Sequence, residues 1–303
     1  MTTPNDDFAQ PQYLVETDWL EQHLDDPSLR VFDCTVNIVP KEQYEQGKEP
    51  PYTVESGRAH FEQEHIPGAG FVDILADISD TTSKFPFMMP PAQQFADAMG
   101  KVGVDDTTRV VLYGTSAMMP EMWATRVWWM LRASGFDNAA ILNGGWAKWK
   151  AEGRAVSNAP ANYPATRFPS RPRPELFVNR DDVLAAIGDG SICTVNALFP
   201  EQHDGSGAMA YGRKGRIPGS VNVPAASLCD PDTAAYLPAS ELRNKFDAVD
   251  VADAERIIAY CGGGISATSD AFILTMLGYD NVSVYDASMY EWSNDDSLPM
   301  ETG

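Results

Sequence analysis

The chain has 303 residues and a formal net charge of −21, from 22 basic against 43 acidic side chains. Its length suggests about two domains, each large enough to bury its own core. The negative charge is spread along the chain, which argues against nucleic acid or an anionic membrane as partner and reads first as a solubility feature.

At the amino end, Met1-Thr2-Thr3-Pro4-Asn5-Asp6-Asp7 is polar and acidic, without the basic start and apolar centre of a secretory signal. No apolar run reaches the length of a membrane span. The first half reads as a strand over 29–32, a helix over 92–99, a strand over 110–113 and a helix through Trp128-Trp129-Met130-Leu131. A connector over 158–174 follows, carrying Pro160, Pro164, Pro169, Pro172 and Pro174. Prolines at that density exclude a helix interior or a central strand, so the segment is extended and stiff. The second half gives a strand-like run over 192–195, a strand over 256–259, a helix over 270–277 and a final strand over 282–285. Such alternation implies an α/β fold: a mostly parallel sheet with helices on both faces and sites beyond the carboxyl ends of the strands.

The two halves repeat each other. His65-Ile66-Pro67-Gly68-Ala69 matches Arg216-Ile217-Pro218-Gly219-Ser220, and Val110-Val111-Leu112-Tyr113-Gly114 matches Ile257-Ile258-Ala259-Tyr260-Cys261. Ala124-Thr125 matches Ala267-Thr268, and Leu142-Asn143-Gly144-Gly145 matches Tyr285-Asp286-Ala287-Ser288. A period of this length is a duplicated domain rather than a solenoid.

The four cysteines, Cys34, Cys193, Cys229 and Cys261, are far apart, so neither a zinc site nor a redox dithiol is signalled, and a reducing cytoplasm is the simplest home. Cys34 and Cys193 sit in apolar strand-like runs and are expected to be buried and inert. Cys261 is different. It opens the loop Cys261-Gly262-Gly263-Gly264-Ile265 between a strand and a helix, whereas the matching position in the first half is Gly114, followed by a longer, mostly apolar loop. Glycines let successive backbone N–H groups converge into a nest for negative charge, and the following helix, with Ser266 as expected N-cap, adds its dipole. Both favour a thiolate at Cys261, and the thiolate is the nucleophile. A cysteine phosphatase is disfavoured, because no arginine follows within the loop to clamp phosphate.

With these residues in place, the chain resembles the two-domain rhodanese sulfurtransferases of the thiosulfate and 3-mercaptopyruvate type over nearly its whole length. The resemblance is carried by His65 to Ala69, Arg126-Val127-Trp128-Trp129-Met130-Leu131-Arg132, Leu142 to Trp146, Ile217 to Pro224, the Cys261 loop, and Tyr285-Asp286-Ala287-Ser288-Met289-Tyr290-Glu291-Trp292. It implies two tandem rhodanese-like α/β domains, an inactive one over 11–157 and a catalytic one over 175–303, joined by the 158–174 linker. It further implies that Cys261 takes the outer sulfur of a small donor as a persulfide. The loop Gly262, Gly263, Gly264, Ile265, Ser266 and Ala267 would steady that persulfide, and cyanide, a thiol or a reduced protein dithiol would remove the sulfur. No metal or organic cofactor is called for.

The pattern departs from the family at the donor site. Gly262 and Gly263 stand where thiosulfate enzymes place Arg and Lys; against the Cys-Gly-Ser-Gly loop of mercaptopyruvate enzymes, Gly263 replaces the serine. His65 matches a first-domain histidine thought to work with that serine. The family's donor-binding arginines are missing from the stretch 195–203, leaving Arg213, Lys214 and Arg216 as candidates to hold a donor carboxylate. These gaps keep open an alternative on the same fold, a persulfide carrier or binding module that does not turn over.

Overall fold

The structure, a computed structural model, describes residues 7–45, 52–115, 119 and 121–303. The polar start over 1–6 and part of the first-half loop (116–118 and 120) lie outside the described residues. The strands are β1 (Leu14–Val15), β2 (Leu29–Asp33), β3 (Val36–Pro40), β4 (Tyr52–Ser56), β5 (Ala69–Phe71), β6 (Arg109–Tyr113) and β7 (Ala139–Leu142), then β8 (Phe177–Val178), β9 (Ile192–Asn196), β10 (Val221–Asn222), β11 (Arg256–Tyr260) and β12 (Val282–Tyr285).

Two parallel sheets result. Their orders, β5-β2-β6-β7-β1 and β10-β9-β11-β12-β8, superimpose element on element, as a duplicated domain requires. The apolar runs Val110-Val111-Leu112 and Ile257-Ile258-Ala259 become the central strands β6 and β11, buried on both faces. An element the alternation did not announce is the antiparallel pair β3–β4, whose half-exposed side chains give it only a weak apolar pattern.

The helices Met122–Ala133 and Ser266–Met276 follow the central strands and pack on each other, joining the domains. Nearly every residue in them is buried, because each faces its own sheet on one side and its repeat partner on the other. The matched threonines meet at this seam, with Thr125 Oγ1 3.1 Å from Thr268 Oγ1 and 3.1 Å from Ser269 Oγ.

The connector has no helix or strand over 160–173, and it is strapped to the first domain. Ala161 N donates to Ala69 O, Thr166 N to Gly100 O and Arg171 N to Ser134 O, while Phe168 is buried between Phe95 and Phe136.

Two local expectations change. Ser266 is the first helical residue rather than the N-cap; Ile265 takes the cap position and no side chain caps that end. Cys34 is fully buried, but Cys193 is only half-buried, and its burial pushes the thiol up to about 11.

Candidate functional site

Cys261 lies directly after β11, at the carboxyl edge of the second sheet, and is 2% exposed. Its backbone is fixed from the neighbouring helix Ser288–Trp292. Cys261 N–H donates to Ser288 Oγ (3.1 Å), and that hydroxyl donates to Tyr285 O (2.6 Å). Met289 N–H donates to Cys261 O (3.0 Å) and Tyr290 N–H to Gly262 O (2.8 Å). Ser288 achieves this with φ +50°, a left-handed conformation that its repeat counterpart Gly145 (φ +47°) reaches without a side chain. A non-glycine residue held there is strained, and here its hydroxyl holds the cysteine's own N–H.

With those carbonyls occupied, the rest of the loop presents donors. Among the described residues, none of the backbone N–H groups from Gly262 through Ala267 has an acceptor. Such a run of free donors at an uncapped helix start is an anion nest.

The glycines are demanded by contacts. Gly264 has φ +73°, and a Cβ there would fall 2.4 Å from Asp286 O. At Gly262 a Cβ would fall 2.0 Å from Tyr211 Cζ, and at Gly263 2.8 Å from Tyr290 Cδ2. Tyr211 and Tyr290, packed edge to face with centroids 5.0 Å apart, therefore occupy the space that larger residues after the cysteine would need.

The first domain contributes Arg126. This fully buried guanidinium donates from Nη1 to Asp286 Oδ1 (2.7 Å) and Gly264 O (3.2 Å), and from Nη2 to Phe87 O. Asp286 Oδ2 in turn accepts from Met89 N–H (2.8 Å). The loop is thus gripped from both domains.

Above the loop is an interdomain cleft, partly open to solvent. Cys261, Gly262, Gly263, Ile265 and Ser266 form its floor. Its walls carry Tyr52, Phe87, Trp123, Phe199, Tyr211 and Tyr290, with aliphatic and Met side chains between them. Tyr52 Oη and Tyr211 Oη are 3.2 Å apart, and burial pushes both phenols, and that of Tyr290, upward, so they stay neutral. Among the described residues no Arg, Lys, Asp or Glu lines this cleft.

The expected loop residues come together; the expected donor-binding residues do not join them. Arg213 donates to the carbonyls of Ser293, Leu298, Trp292 and Asp295, fastening the C-terminal segment, and it lines a separate hollow with Lys214. Arg216 pairs with Glu301 and donates to Gly303 O (2.6 Å). His65 is fully buried, stacked on Phe61, its ring nitrogens 2.6 Å from Phe61 O and 3.2 Å from Ala159 O. None of the three lines the cleft. Sequence reasoning missed Tyr52, Tyr211 and Trp123, which carry no motif of their own. Arg126 and Tyr290 were visible inside motifs, but not their tasks.

The rhodanese-like domain family matches residues 16–152 and 182–295. The chain is similar to the sulfur carrier protein TtuD of Thermus thermophilus, 31% identical over 98% of this chain and 99% of that protein. It is similar to thiosulfate sulfurtransferase of Rattus norvegicus, 32% identical over 92% of this chain and 91% of that one. Among solved structures it is similar to SseA of Escherichia coli, a 3-mercaptopyruvate sulfurtransferase: TM-score 0.75, 30% identity, covering 91% of this chain and 98% of that one.

Proposed function

The chain belongs to the rhodanese family of sulfurtransferases, and we propose that it moves a sulfane sulfur from a donor to a thiophilic acceptor through a persulfide on Cys261. One observation carries the assignment to Cys261: of the four cysteines, only this one sits in the cleft, on a loop with free N–H donors.

The Cys261 thiolate attacks the outer sulfur of the donor. A bond forms from Sγ to that sulfur, and the donor's bond to it breaks. The leaving group departs with the electron pair, as sulfite from thiosulfate or as the pyruvate enolate from 3-mercaptopyruvate. The anionic persulfide then rests among the loop donors from Gly262 to Ala267, already oriented before any charge arrives. An acceptor (cyanide, a thiol or a reduced protein dithiol) attacks the outer sulfur and frees the thiolate. We assign the first domain a supporting role, because Gly114 stands at the place of Cys261. The four free thiols fit a reducing cytoplasm, and among the described residues no helix is long and apolar enough to cross a membrane.

A second reading, a carrier that accepts one sulfur and does not cycle with small molecules, is favoured by the likeness to the sulfur carrier protein and by the uncharged cleft. Steady-state transfer to cyanide separates the two. Sustained thiocyanate formation that Cys261→Ser abolishes, with an unchanged fold, supports the enzyme; a single stoichiometric burst supports the carrier. Turnover retained in Cys261→Ser would remove Cys261 from the mechanism.

A further inference from the structure

Within the persulfide reading, the acceptor step has a proton to place. A thiol acceptor carries one, and that proton must leave its sulfur as the new S–S bond forms. The uncharged cleft favours the neutral thiol as the entering form, because a thiolate would lose its water beside an anionic persulfide with no cation to pair it. The proton is therefore shed inside the cleft. The usual groups for moving it are missing there: among the described residues no His, Asp, Glu, Lys or Arg lines the walls or floor. Gly263 brings no hydroxyl, and His65 is packed against Phe61 and Ala159 away from the cleft.

What the walls do carry is phenols. Tyr52, from β4 of the first domain, and Tyr211, from the second domain, meet at the cleft with their hydroxyl oxygens 3.2 Å apart. Tyr52 is partly exposed and Tyr211 nearly buried, so the pair runs from the solvent side inward. Its inner end lies on the cysteine loop, where a Cβ on Gly262 would fall 2.3 Å from Tyr211 Oη. Tyr290 packs edge to face on the Tyr211 ring and holds it in place. Burial above all, with the charge of Cys261 among the lesser causes, keeps both phenols of the pair protonated. Each hydroxyl can thus accept one proton while passing on its own.

We propose that Tyr52 and Tyr211 form a proton relay from a thiol acceptor to the Cys261 persulfide. The acceptor's S–H donates to Tyr52 Oη, Tyr52 O–H to Tyr211 Oη, and Tyr211 O–H to the outer sulfur. A bond forms from the acceptor's sulfur to the outer sulfur, the S–S bond to Cys261 breaks, and Cys261 leaves with the electron pair. R–SH and Cys–S–S⁻ give R–S–SH and Cys–S⁻, both phenols end as they began, and no oxidant or reductant is needed. The hydroxyl that the loop lacks at Gly263 is supplied from the walls.

The test follows discharge of preloaded protein, so it does not depend on the natural donor. The full chain is treated with inorganic polysulfide, from which the Cys261 thiolate takes a terminal sulfur while the shortened polysulfide leaves with the electron pair. Excess reagent is removed. Single-turnover loss of the sulfur from Cys261 is then timed by mass with two acceptors. One is 2-mercaptoethanol, whose sulfur must lose a proton. The other is tris(hydroxymethyl)phosphine, whose phosphorus has none to lose and which leaves as the phosphine sulfide. General acid–base catalysis supplies about 10²–10⁴-fold, so Tyr211→Phe and Tyr52→Phe should each lower the ratio of thiol rate to phosphine rate by about 10²-fold. The double variant should lose no more than the worse single one, since either break stops the relay. A merely structural role slows both acceptors alike; a ratio that stays at the wild-type value overturns the relay and leaves the persulfide reading standing. A selective loss in Ser266→Ala, with the tyrosine variants at the wild-type ratio, moves the proton transfer to the floor and overturns the relay too. Failure of polysulfide to add one sulfur's mass to Cys261 overturns the persulfide reading and the relay with it.

Discussion

Arg126 and Asp286 meet across the domain interface with Nη1 and Oδ1 2.7 Å apart, both side chains almost wholly out of solvent. The pair does more than join two domains, because the same guanidinium holds Gly264 O of the cysteine loop and Phe87 O of the cleft wall. Breaking one partner of a buried pair leaves an uncompensated charge, at a cost of about 3–5 kcal/mol. Arg126→Ala should therefore lower stability by about that amount in denaturant titration. Arg126→Lys keeps the charge but loses the planar fork, so it cannot serve the three acceptors together. It should fold, with kcat depressed more than donor KM is raised. Wild-type kcat in Arg126→Lys would show that the loop holds its shape without the clamp.

The glycine loop makes a second claim that can be checked by coupling. Gly262 has an ordinary φ, so Ala is disfavoured there only because its Cβ would overlap the Tyr211 ring. Gly262→Ala should cost about 1–3 kcal/mol, the range for overpacking a core, and should slow turnover. Trimming the ring with Tyr211→Leu opens the space, so the double variant should be more stable than the sum of the single effects predicts. Strict additivity would mean that Gly262 is required for some reason other than Tyr211.

Much of this architecture was legible in the residues. The duplication follows from matched strings such as Val110-Val111-Leu112-Tyr113-Gly114 and Ile257-Ile258-Ala259-Tyr260-Cys261, and the sheets reproduce it strand for strand. Cys261 stood out because a local signal, a strand followed by glycines and a helix, coincides with its local environment. The cleft was not legible, since its walls come from β3, β4, the segment holding Phe87, the helix at Trp123 and the stretch around Tyr211. Those residues are far apart in sequence and meet only through packing, and an isolated Tyr or Trp looks the same in a core as over a site. The arginines misled for a related reason: a basic turn at Arg213 to Arg216 gives no hint that the C-terminal carbonyls will occupy its donors.

Arg213 accordingly yields a prediction about stability. Its four bonds to backbone carbonyls fasten the segment after Trp292. Hydrogen bonds from a charged donor contribute about 1.5–3 kcal/mol each when single, with strong non-additivity in a cluster. Arg213→Ala should lower stability by at least about 2 kcal/mol and leave the donor KM unchanged. A several-fold rise in KM for 3-mercaptopyruvate, with stability intact, would return Arg213 to the donor site.

Asp270 sets an expectation for pH. It lies in the interdomain helix Ser266–Met276, fully buried, and neither carboxyl oxygen has a partner. Burial pushes its pKa well above the ordinary carboxylate value, and Glu121, equally unpartnered, is pushed the same way. Tyr236, whose hydroxyl is also unpartnered, neighbours both carboxyls, and Cys229 and Cys34 neighbour Glu121; burial raises all three as well. The native protein therefore keeps a proton on Asp270 that the unfolded chain releases above about pH 4. More protons are bound in the native state than in the unfolded one, so stability falls as pH rises. The contribution is complete below the unfolded pKa and is lost as pH climbs toward the raised native one. Each such group steepens the fall by up to about 1.4 kcal/mol per pH unit. Asp270→Asn removes the ionisation while keeping the shape, so its stability should match the wild type near pH 4 and exceed it by a margin that widens towards pH 8. Thermal melts of both proteins across that range decide the matter, and parallel curves would mean that Asp270 is ionised in the folded chain.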